Sequence, residues 1–114
     1  RMKLALLLVL ILCSVRCIEA GTCIADESSL GNNFNDADTW DCTNDTADDI
    51  PGVFDAAIIR NTTVILNDSS AAVVSSLLVE DAGGFQVLDD SHFETNWAQI
   101  LLYSDVYVDT ESTF

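Results

Sequence analysis

Basic residues are nearly missing from this chain: four Lys and Arg stand against nineteen Asp and Glu, a formal net charge of −15. Nucleic acids and anionic lipid surfaces are held by Lys and Arg that neutralise phosphates. The shortage excludes both as partners. Histidine is equally scarce, with His92 alone, and there is no CxxC pair, so a zinc site has nothing to hold it. Proline occurs once, at Pro51, and glycine five times, which leaves no linker or low-complexity segment to divide the 114 residues. The length supports one small domain at most.

What is present begins with an export-type start. Met2 and Lys3 precede the apolar run Leu4 to Val15, and Arg16 to Ala20 lead into Gly21. Charged start, apolar middle and small-residue exit read as a secretory signal over residues 1–20, cleaved after Ala20 or, alternatively, after Cys17. Twelve apolar residues span roughly 18 Å as a helix, short of the ~30 Å bilayer core, so no membrane partner is expected after cleavage. The expected location is secreted, extracellular or at the cell surface. Arg1, Lys3 and Arg16 leave together with Glu19, so Arg60 alone then faces eighteen acids, a net charge of −17 over 94 residues. Two readings of that acidity stay open, a solvated exterior and calcium binding. Cys13 and Cys17 go with the signal, and Cys23 and Cys42 remain as an even pair in an exported chain. A disulfide is expected, worth roughly 3 kcal/mol for a loop of this length.

Written in rows of 21, residues 55–114 align. Ala56 stands above Leu77 and Ala98, Ile58 above Val79 and Ile100, and Val64 above Phe85 and Val106. Leu66, Val87 and Val108 form a fourth column, Ala72, Phe93 and Phe114 a fifth, and Ser70, Ser91 and Ser112 a polar one. Within each row the apolar columns come in pairs spaced by two, which is a strand signal rather than a helical one. Repeated short strands that bury their inward residues only against neighbouring rows follow solenoid logic. The pattern predicts an all-β fold, a right-handed parallel β-helix with coils of about 21 residues. A small antiparallel β-sandwich is the alternative. Residues 21–54 depart from the repeat and read as an N-terminal cap, with Phe34 and Trp40 as plugs and Cys23–Cys42 as clip. Residues 55–114 are the first coils. The third row stops short at Phe114, so a truncated C-terminus, with further coils beyond it and self-association of the open end, is expected.

The run from Ala37 to Leu88 resembles the N-terminal part of secreted right-handed β-helix proteins of the pectate-lyase-like superfamily. The residues that carry the likeness are Trp40, Pro51-Gly52, Asp55, Thr63-Val64, Ser76-Leu77 and Gly83-Gly84. The resemblance implies either a structural, adhesive or glycan-contacting protein of the cell exterior, or the start of a polysaccharide lyase or hydrolase whose active site lies downstream. A carbohydrate or cell-surface polymer is the partner it implies.

No catalytic residue and no cofactor is assigned within this segment, calcium apart. Arg60 has no acidic column beside it, with Asp81 and Leu102 below it in the alignment. His92 follows Asp90 and Ser91 directly, and neighbours on a strand alternate direction, which prevents a triad. The calcium candidates are Asp68, Asp89, Asp90 and Glu111, carboxylates in one turn column where a hard cation would relieve repulsion. Sequons at Asn44, Asn61 and Asn67 are candidate glycosylation sites. The non-catalytic extracellular reading is preferred to the enzyme.

Overall fold

The computed structural model describes residues 21–43 and 49–114. Its strands are β1 (Thr22–Ala25), β2 (Asp41–Cys42), β3 (Ala56–Arg60), β4 (Thr63–Leu66), β5 (Ala71–Glu80), β6 (Gly84–Val87), β7 (His92–Ile100) and β8 (Asp105–Val108). They form two sheets, one of five strands in the order β2-β1-β3-β5-β7 and one of three in the order β4-β6-β8. The only helical element among the described residues is the 3-10 turn Ala37–Thr39, whose N-cap carboxylate on Asp36 accepts from Asp38 N–H.

The expected right-handed parallel β-helix is not what these strands build. The larger sheet is mixed, because β2 runs antiparallel to β1, and the strands gather in two sheets without closing into a solenoid. The reason lies in Ala71–Glu80, AAVVSSLLVE, which holds no Gly, Pro, Asn or Asp to end a strand. Two short strands expected there run on as one, and β7 beside it does the same. The inward phase still changes within β5: Ala72 and Val74 are buried before Ser75-Ser76, and Leu77 and Val79 after them.

The register explains which residues reach the core. β4, β6 and β8 pair at an offset of 21 residues, which places Val64, Phe85 and Val106 side by side, then Leu66, Val87 and Val108. Ala72 pairs with Phe93, and the Phe93 ring lies 5.1 Å from Phe114. Between β3 and β5 the offset is 20, so Ala57 and Ile59, not Ala56 and Ile58, stand beside Leu77 and Val79. The slip is absorbed by Gly83, the additional residue in the β5–β6 turn. A side chain there would meet the Ile59 carbonyl oxygen at 2.6 Å, so glycine is required.

Core packing joins these columns. Phe34 lies 5.2 Å from the Trp40 ring, edge to face, and 5.9 Å from Phe93, which in turn contacts Phe85 at 4.8 Å. Such aromatic pairs add about 0.5–1.5 kcal/mol each beyond their burial. Trp40 Nε1–H donates to the Phe34 carbonyl at 2.8 Å, so the indole is buried without an orphaned donor. Cys23 and Cys42 are disulfide-bonded and sit opposite each other in the β1–β2 register.

Candidate functional site

The site begins with inward positions that lose their cover. Along one column Ile59 and Val79 are fully buried, yet Ile100, next in line on β7, is 44% exposed. Along another, Phe93 is fully buried and Phe114 is 48% exposed. Val106 and Val108 on β8 are only partly buried, where Phe85 and Val87 beside them are closed off. β7 and β8 are the edge strands of the two sheets at this end, and beyond the bridge from His92 to Thr113, where Phe93 N–H donates to the Thr113 carbonyl at 3.0 Å, no strand among the described residues pairs their outer edges. Trp97, Leu102, Tyr103 and Tyr107 add large exposed side chains to the same end. Glu94, Asp105 and Glu111, also exposed, give it negative charge.

A groove of about 310 Å³ opens between the start of β7 and the chain terminus, bordered by Val73, His92, Glu94, Thr95 and Phe114 among others. His92 bridges two side chains: Nδ1 contacts Thr113 Oγ1, and Nε2 lies 2.8 Å from Glu94 Oε1. All three are exposed. This hydroxyl–imidazole–carboxylate chain stands in solvent, and it ties the chain terminus to β7. Ser91 has turned the other way: it is buried, and its hydroxyl accepts from Ser70 N–H at 3.2 Å. Ser112 repeats the contact one row on, accepting from Ser91 N–H at 3.1 Å. The serine column is a ladder of side-chain acceptors for turn backbone, which is a structural use of hydroxyls.

The turn carboxylates are similarly placed. Asp68, Asp89 and Asp90 all have φ near +60°, a region where short polar side chains are tolerated best after glycine. Among the described residues no three His, Cys, Asp or Glu gather as metal ligands. Asp109, which the sequence did not single out, carries the local bonding: Oδ2 accepts from Asp89 N–H at 2.9 Å and Oδ1 from Glu111 N–H at 3.2 Å. The Ser112 hydroxyl, foremost, and the Asp89 amide hold its carboxyl below the usual aspartate value. Arg60 pairs with Glu80 at 3.3 Å, not with the neighbours expected from a 21-residue offset, because of the one-residue slip. Asn61 lies exposed at a turn, Asn67 accepts from Asn33 Nδ2 at 2.8 Å, and Asn44 lies outside the described residues, as do residues 1–20.

No family model, curated protein or solved structure matches the chain.

Proposed function

We propose that this chain is a non-catalytic extracellular structural module that associates through the edges of β7 and β8, with a second copy of itself as the partner. The observation that carries the reading is the exposure of Ile100 and Phe114 in columns whose other members are buried. Among the described residues the opposite end offers no matching acceptor, since the Asn32–Phe34 backbone already bonds β4 there and β2 flanks β1. Between copies of residues 21–114, this disfavours head-to-tail stacking and favours a two-fold pairing of the β7–β8 ends. The export-type start and the Cys23–Cys42 bond support an extracellular setting.

Charge sets the condition for pairing. Two copies bring Glu94, Asp105 and Glu111 against their equivalents, which opposes association at low ionic strength. Screening shortens the Debye length from ~10 Å at 0.1 M salt to ~3 Å at 1 M. Sedimentation of the exported chain across that range is expected to pass from monomer to dimer. Ile100→Lys with Tyr107→Lys, which puts charge on both edges, is expected to hold it monomeric. A monomer at every salt concentration would overturn self-association, and binding of that monomer to a glycan column would redirect the reading to adhesion. Turnover of pectin, alginate or hyaluronan would overturn the non-catalytic reading.

A further inference from the structure

Asp55 is an acid where burial makes an acid costly. It is 3% exposed, just ahead of β3, and both of its oxygens are engaged. Oδ1 accepts from Gly21 N–H at 3.0 Å and Oδ2 from Gly52 N–H at 2.7 Å. Both donors are neutral peptide groups in the continuous chain, and a buried carboxylate calls for a counter-charge. The ion pairs among the described residues are Arg60–Glu80 and His92–Glu94. Arg60 is also the sole Lys or Arg after residue 20, so no other basic side chain of that kind can serve Asp55. Gly21 itself is buried and anchored, its carbonyl accepting from Ala56 N–H at 2.9 Å. Its nitrogen is the atom that cleavage after Ala20 would free.

We infer that Asp55 is the receptor for the α-ammonium group of Gly21, formed when the Ala20–Gly21 peptide bond is hydrolysed. The inference rests on residues 1–20 being an export signal. Water, with a signal-type peptidase as catalyst, adds its hydroxyl to the Ala20 carbonyl carbon while the C–N bond breaks. The departing nitrogen takes up the remaining proton of that water, and the new acid of Ala20 gives its proton to the amine. Carboxylate and ammonium result, with no net gain or loss. The ammonium keeps the contact to Asp55 Oδ1 and converts a neutral hydrogen bond into a charge-assisted one. Processing thus couples removal of the leader to locking the start of β1 against the start of β3. The uncleaved chain lacks that lock.

The test uses the full chain expressed with its leader in an exporting host, and reads the product's N-terminus by mass spectrometry. A product that begins at Gly21 is expected. The chain beginning at Gly21 is then compared with its Nα-acetylated form, which keeps the N–H and loses the charge. Acetylation is expected to raise the unfolding constant about tenfold, the difference between a neutral and a charged hydrogen bond. Asp55→Asn should abolish that difference. Because Asp55→Asn removes a buried partner and can prevent folding, a second readout needs no variant. The native α-amine should react with an acylating reagent at least tenfold more slowly than the same amine in denaturant. Equal rates, or no effect of acetylation, would overturn the ion pair. A product beginning at Ile18 would overturn it while leaving export intact, whereas retention of residues 1–20 would remove the export reading as well.

Discussion

At the β1 end, Phe34 and Trp40 close over the core, the Asn32–Phe34 backbone bonds the edge of β4, and Cys42 is tied to Cys23 beside a strand of only two residues. At the β7–β8 end, Ile100 and Phe114 hold inward positions with no layer above them, and both edges carry long aromatic or aliphatic side chains. What differs is the means of closure: a very short antiparallel edge strand, an aromatic pair that satisfies its own indole donor, and a covalent tie. An apolar column needs neighbours on both sides, and the end with neither cap nor tie is the one left to find them elsewhere.

The largest expected effect breaks the comparison along a single column. Ile59→Ala removes a fully buried side chain and should cost about 2–5 kcal/mol in denaturant unfolding. Ile100→Ala, two strands along the same sheet, should cost less than about 1 kcal/mol in the monomer. Equal losses would mean that both positions are covered alike.

A smaller effect sharpens it by pH. Asp26, near the closed end, is lowered chiefly by the Ser28 hydroxyl, and Asp109, at the open end, chiefly by the Ser112 hydroxyl. A carboxylate held below its ordinary value of 3.8 contributes stability that is present above that value and lost as pH falls through the folded-state one. Ser28→Ala and Ser112→Ala should each reduce that acid-side loss, read from thermal midpoints between neutral pH and about pH 2. Ser112→Ala should also lower the midpoint at neutral pH, because its hydroxyl accepts from Ser91 N–H as well. The Ser28 hydroxyl donates only to Asp26, so its loss should lower the neutral midpoint by the carboxylate's contribution alone, less than Ser112→Ala does. Identical behaviour of the two variants at neutral pH would contradict the ladder role of Ser112.

How much of this was legible in sequence varied by region. The columns through Val64, Leu66 and Ala72 were readable because the next rows place polar residues beside them, Gln86 between Phe85 and Val87, and His92 and Glu94 around Phe93. Residues 56–59 are Ala-Ala-Ile-Ile, apolar at every position, so the two possible phases look alike and a one-residue slip is invisible. Only the close approach of Gly83 to Ile59 decides between them. The continuity of β5 was not legible, because a change of phase at Ser75-Ser76 resembles a strand break although the backbone pairing continues past it. Arg60 and Glu80 were separated on paper by the same slip. Asp55 meeting Gly21, 34 residues apart, follows from the β1–β3 pairing, which has no periodic signal in the irregular segment between them.

The most direct measurement is amide hydrogen exchange of residues 21–114 at 0.1 M and 1 M salt, followed strand by strand. If the β7–β8 end is an open edge that pairs with a second copy, protection should rise there with salt, in His92–Ile100 and Asp105–Val108, while Thr22–Ala25 stays unchanged. Protection that rises equally at both ends, or that does not change with salt at all, would contradict it.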